Sequence, residues 1–140
     1  MDDLARRLRL AVDRSPLETS VAGGLHSCRG GTHSRLADGR RVCWSPDGLG
    51  DGVGFAIDAE LAGQAVPPAL GRRTGTLDPE WFWPAWTRAE VGAKLFDVPI
   101  LVWFTTIAPD RRDAGASDEV AVLTTLTDGL VVSYGLRAPS

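Results

Sequence analysis

Asparagine is absent from this 140-residue chain, and Gln64, Lys94, Met1 and Tyr134 are each the only residue of their type. Fourteen of the fifteen basic side chains are therefore arginine. High-GC coding bias produces this pattern, so the arginine count is not by itself a phosphate-binding signal, although guanidinium reads phosphate well. A basic excess is also missing. The net charge of -3 argues against nucleic acid as a partner and is too small to steer a basic one. No apolar run approaches the roughly 18 residues of a membrane span. The acidic start, Met1-Asp2-Asp3, is not a secretory signal, and the expected setting is cytoplasmic. Several enzyme signatures are lacking: there is no GxSxG, no HExxH and no zinc-deaminase pairing of HxE with PCxxC. Two histidines leave few groups that titrate near neutral pH.

What is present is the composition of a globular domain, with 44% hydrophobic and 24% charged residues. A chain of about 150 residues buries roughly 70% of its unfolded surface, so this one can build a core without staples. No repeat or linker divides it, and residues 1–140 read as a single α+β domain. Residues 3–14 form a helix, capped by Asp2 or Asp3, with Leu4, Leu8 and Ala11 recurring on one face. Residues 15–22 are a connector, followed by short strands at 24–28, 32–37, 40–45 and 53–60. The glycine run over 48–54 lacks the strand–GxGxxG–helix context of a nucleotide loop and reads as turns.

Residues 61–77 read as a long loop, after which Asp78-Pro79-Glu80 opens a helix with a cap, an N1 proline and an acidic first turn. Pro84 and the capping box Thr87-Arg88-Ala89-Glu90 leave two alternatives: one kinked helix over 79–96, or a short turn and then a helix from about 85–88. The apolar run 99–104 reads as a buried central strand and 108–118 as a second long loop. Glu119–Leu126 and Leu130–Leu136 flank Asp128-Gly129 as a hairpin that pairs Thr124 with Ser133 and Leu123 with Tyr134. The order α-β-β-(β)-β-α-β-β-β predicts two helices packed on one mainly antiparallel sheet.

All four cysteines and histidines, His26, Cys28, His33 and Cys43, fall within residues 26–43. Such a set can build a Zn²⁺ tetrahedron or a thiol nucleophile with its base. Without such a role it is two buried small hydrophobes and two surface imidazoles. No CxxC or HxxxH spacing occurs. A two-residue Asp38-Gly39 loop of type I′ pairs Ser34 with Cys43 and His33 with Trp44, which turns His33 away from Cys43. A disulfide needs an oxidising compartment, and the sequence leaves the redox state of the two thiols open.

Trp81, Phe82, Trp83 and Trp86 crowd six residues. Neighbours two apart on a helix point about 200° apart, so Trp81 and Trp83 cannot share a face. One indole is expected to leave the core, covered by the 61–77 loop or offered to a partner. Trp81, Trp83 and Trp86, with Arg72 and Arg73, make the candidate binding surface.

Asp58-Ala59-Glu60 ends a predicted strand and places two carboxylates on one face, with Asp47 at the preceding turn. Clustered carboxylates suit Mg²⁺, a hard cation that prefers oxygen and activates water for phosphodiester cleavage. The arrangement resembles the PD-(D/E)xK nuclease core over about residues 3–104: Pro46-Asp47 matches its Pro-Asp, and Asp58-x-Glu60 its D/E-x-K. That resemblance implies a helix, three strands, a helix and a strand, and a Mg²⁺-dependent nuclease using Asp47, Asp58 and Glu60. Glu60 occupies the family's lysine position, with no basic residue near it in sequence.

The leading expectation is a non-catalytic module, adaptor- or immunity-like, that recognises a protein or peptide through the tryptophan cluster and uses no cofactor. The Mg²⁺ nuclease and a Zn²⁺-binding protein are the alternatives. An exposed strand edge would also allow a homodimer.

Overall fold

The computed structural model of the chain describes residues 3–21, 28, 30–101 and 119–140. The element order is α1 (Asp3–Arg14), β1 (Glu18–Ser20), β2 (Thr32–Arg35), β3 (Arg41–Trp44), β4 (Gly54–Leu61), α2 (Pro68–Thr74), α3 (Pro79–Leu95), β5 (Val120–Thr127) and β6 (Leu130–Arg137). The class is mixed α+β. The strands form two three-stranded antiparallel sheets, ordered β1-β3-β2 and β4-β6-β5, rather than the expected single sheet.

α1 spans the residues read from its periodicity and buries Leu4, Leu8 and Ala11. The 15–22 connector contains β1, and the 61–77 loop contains α2. α2 starts on a proline at its first positions and ends at Gly75, whose φ of 82° lets its N–H close on Gly71 O. α3 is one helix with Pro84 inside it, and its Asp78 cap accepts the Glu80 N–H. Thr87 is a mid-helix residue, not a cap; its hydroxyl lies on Pro84 O at 3.2 Å. Ile100 and Leu101 are helical, so the expected central strand does not form there. The remainder of that run, the second long loop and residues 24–27 lie outside the described residues.

The β4-β6-β5 sheet is the centre of the molecule. Successive side chains on a strand face opposite ways. One face carries Ile57, Ala59, Ala121, Val132, Tyr134 and Leu136 against Leu4 and Leu8 of α1 and Val42 and Trp44 of the other sheet. The opposite face meets α3, with Ala56 and Val120 on Val91 and Leu95, and Val131 beside Phe82 and Trp83. A Cβ at Gly135 would collide with Val91 and Leu95, so this glycine lets α3 lie directly on β6.

The two Asp-Gly hairpins differ. At Asp128-Gly129 both residues take positive φ, 53° and 74°. This gives the two-residue loop and the pairing Thr124↔Ser133 and Leu123↔Tyr134 read from the sequence. At Asp38-Gly39 only the glycine does so, with φ 90°. The Asp38 carboxylate instead accepts the Arg40 N–H at 3.0 Å and Nε at 2.8 Å. Leu36 N–H then reaches Arg40 O at 2.8 Å, and the loop closes over three residues with the left-handed glycine last. The register slips by one, to His33↔Cys43, Ser34↔Val42 and Arg35↔Arg41. His33 therefore shares a face with Cys43, contrary to the expectation.

The sheets meet at their edge strands, β2 and β4. Hydroxyls make the joint. Thr32 Oγ1 accepts the Ile57 N–H at 3.4 Å and Ser34 Oγ accepts the Ala59 N–H at 3.0 Å. These side chains cover polar backbone groups that an edge strand would otherwise leave open.

Candidate functional site

β4 turns Ala56, Asp58 and Glu60 toward α3. Ala56 is enclosed by Val91 and Leu95, and the two carboxyls follow along the same face. Glu90 and Lys94 stand one turn apart on α3, the favourable acid-before-base spacing. Lys94, the only lysine of the chain, donates from Nζ to Ile57 O at 2.8 Å and lies 3.5 Å from Asp58 Oδ1. The Ser34 hydroxyl, 3.2 Å from both Asp58 Oδ1 and Ala59 O, brings β2 to the same point.

Asp58 is 6% exposed, and its Oδ2 is buried without a hydrogen-bond partner among the described residues. Burial pushes this carboxyl up to about 8; Lys94 opposes the rise, while Glu60 and Glu90 add to it. Burial also raises Glu60 and Glu90, each against the pull of Lys94. Glu60 is steadied by Gln64, whose Nε2 donates to it at 2.9 Å. Gln64 is steadied in turn by Trp83, whose indole N–H donates to the Gln64 carbonyl at 2.9 Å. A buried carboxyl held protonated near neutral pH, beside one cation and two further acids, is the kind of costly arrangement that concentrates at functional sites. As the side chains stand, no three His, Cys, Asp or Glu groups converge to hold a metal ion among the described residues.

Of the acids singled out in the sequence, Asp58 and Glu60 come together. Asp47 is exposed on the β3–β4 connection and is not among the charges acting on Asp58. Sequence reasoning missed Glu90 and Lys94; the cue available was a lone lysine four residues after a glutamate. α3 thus brings a basic group to Asp58 although none is nearby in sequence.

Cys28 and Cys43 form a disulfide with Cα atoms 5.9 Å apart, the usual separation, so each sulfur is the other's partner. His33 is exposed. Burial, then Arg41, Lys94 and Arg35, hold its imidazole below the ordinary value. His26 lies outside the described residues. Trp83 is 4% exposed, whereas Trp81 is 55% exposed. Trp86 stacks on Phe82 at 5.7 Å. Arg72 and Arg73 are exposed in the last turn of α2. Comparison of the chain with protein-family models, with curated proteins and with solved structures finds no match.

Proposed function

We propose that the chain is a divalent-cation-dependent enzyme acting on a phosphate-bearing substrate, with Asp58, Glu60, Glu90 and Lys94 as its site. One observation carries this reading: Asp58 Oδ2 is buried with no hydrogen-bond partner among the described residues, on a carboxyl that Lys94 meets at Oδ1 and on which the charges of Glu60 and Glu90 act. Leaving such an oxygen unpaired is costly, and a hard cation would satisfy it. Asp58, Glu60 and Glu90 do not converge as they stand; a bound Mg²⁺ would draw their side chains together, and its contribution would be to neutralise phosphoryl charge and lower the pKa of bound water.

The protein's own groups do the rest. Ser34 fixes the Asp58 carboxyl, and Gln64, braced by Trp83, fixes Glu60. The Lys94 ammonium is the counter-charge of the acids; with a cation in place it would be free to meet an anionic group of the substrate. Phosphodiester cleavage is the form of this chemistry that the nuclease resemblance suggests, and a cytoplasmic setting goes with it.

Titration with Mn²⁺, followed by calorimetry, tests the site. The wild-type protein is expected to bind the ion, and Asp58→Asn and Glu90→Gln to lose most of that affinity. Binding that both variants retain, or no binding by the wild type, overturns the reading. Mg²⁺-dependent turnover of plasmid, single-stranded DNA, RNA and nucleoside diphosphates then separates the substrates.

A second reading, a protein- or peptide-recognising module of adaptor or immunity type, is favoured by the exposure of Trp81 and of Leu77, 60% exposed, near Arg72 and Arg73. On that reading Trp81→Ala abolishes partner capture and leaves the fold cooperative.

A further inference from the structure

We propose that the Cys28–Cys43 disulfide is a redox switch that acts on the carboxylate site through β2. Its functional consequence rests on the cation-site reading above; its structural part does not. Cys43 occupies the middle strand of the small sheet, directly opposite His33. The chain neighbours of His33 are Thr32 and Ser34, the two residues whose hydroxyls join β2 to β4. Ser34 also touches Asp58 Oδ1. Cys28 stands four residues before Thr32, so the disulfide closes the open end of the hairpin whose other end is the 37–39 loop. β2 itself, Thr32-His33-Ser34-Arg35, carries no hydrophobic side chain. Its position therefore depends on its ladder with β3, on the Thr32 and Ser34 bonds to β4 and on this covalent link, with Leu36 buried just beyond its far end.

The chemistry is ordinary thiol–disulfide exchange with a cellular dithiol. Cys43 is buried and Cys28 only half-buried, so a reductant thiolate attacks Cys28 Sγ and Cys43 leaves as a thiolate that takes up a proton. The second thiol of the reductant resolves the mixed disulfide and frees the Cys28 thiol. Two electrons pass to the disulfide and the reductant ends as its own disulfide. In a reducing cytoplasm disulfides are usually transient and redox-sensing, which makes the oxidised, joined form the conditional one. After reduction the start of β2 is loose, the Ile57 and Ala59 amides lose their hydroxyl acceptors, and Asp58 loses Ser34.

Amide hydrogen exchange on the full chain reads this directly, in the oxidised protein, in protein reduced with dithiothreitol, and in Cys28→Ser. Exchange at Ile57 and Ala59 is expected to rise about tenfold more than at Val132 and Tyr134 of β6, and Mn²⁺ affinity to fall several-fold. An equal rise in β4 and β6 would make the disulfide a staple of the whole domain and overturn the switch. So would unchanged exchange in protein whose thiols titrate as fully reduced. If neither redox state binds Mn²⁺ while Ile57 and Ala59 still respond, the cation reading fails and the link from disulfide to seam stands.

Discussion

The two three-stranded sheets are held by different physics. The β4-β6-β5 sheet has eight-residue strands and is covered on one face by α3 and on the other by α1 and the small sheet. Its stability is that of buried apolar surface. The β1-β3-β2 sheet has strands of three or four residues. Its ties include a disulfide over a sequence separation of 15, a tryptophan lodged in the large core, and two hydroxyls on the edge of β4. Closing a loop of that size restrains the unfolded chain by about 3 kcal/mol, comparable to one large buried side chain. The lesson lies at the joint. The edge of a well-covered sheet offers backbone polar groups that must be satisfied. Here Thr32, Ser34 and Lys94 satisfy them, so the polar residues of the candidate site collect there.

The comparison breaks most sharply at Trp44. It belongs to the small sheet, yet it packs edge-on against Tyr134 at 5.1 Å and Phe55 at 6.2 Å, and its indole N–H reaches Ser15 O at 2.9 Å. Trp44→Ala should cost about 3–5 kcal/mol in chemical unfolding, with the β1–β3 ladder exchanging first. A loss below about 1 kcal/mol would mean that the small sheet stands without this anchor.

Asp58 tests the joint. Its carboxyl keeps its proton to about 8 in the folded chain, against an ordinary value of 3.8. Between those limits the folded state holds a proton that the unfolded state has lost. The contribution to stability is therefore complete below the lower value and fades as pH rises through the upper one, by about 1.4 kcal/mol per pH unit at most. Urea midpoints measured across this window should fall with pH in the wild type and flatten in Asp58→Asn. A wild-type midpoint that rises with pH would contradict a buried, protonated Asp58.

The two hairpin glycines give the smallest effect. Gly39→Ala and Gly129→Ala each place a Cβ at positive φ, a cost of about 1–2 kcal/mol. Exchange should quicken in β2 and β3 for the first and in β5 and β6 for the second. Quickening of both sheets by Gly39→Ala would show that they open as one unit.

What could be read in advance follows from the range of each signal. The face of α1, the Asp78 cap of α3 and the type I′ register of β5 and β6 are set by neighbouring residues. β1 is too short at three residues to show a period, and α2 lies hidden in a stretch rich in proline and glycine. The slip at Asp38-Gly39 came from one side chain, because Asp38 bonds to Arg40 and stays out of the left-handed region. The local difference is the residue after each Asp-Gly: Arg40, whose Nε reaches Asp38, against Leu130, which has no donor to offer Asp128 from its side chain.

The α+β class, the elements α1, β4, β5 and β6, and the alternation that puts Asp58 and Glu60 on one strand face were legible without the fold. Local propensity and side-chain period suffice for those. Long-range packing settled that the strands divide into two sheets, that Trp81 is exposed while Trp83 is buried, and that Glu90 and Lys94 join the acids of β4. Lys94 is 36 residues from Asp58. The two meet because Val91 and Leu95 pack on Ala56 and over Gly135. That docking is fixed by the shape of a packed interface, which no short stretch of sequence encodes.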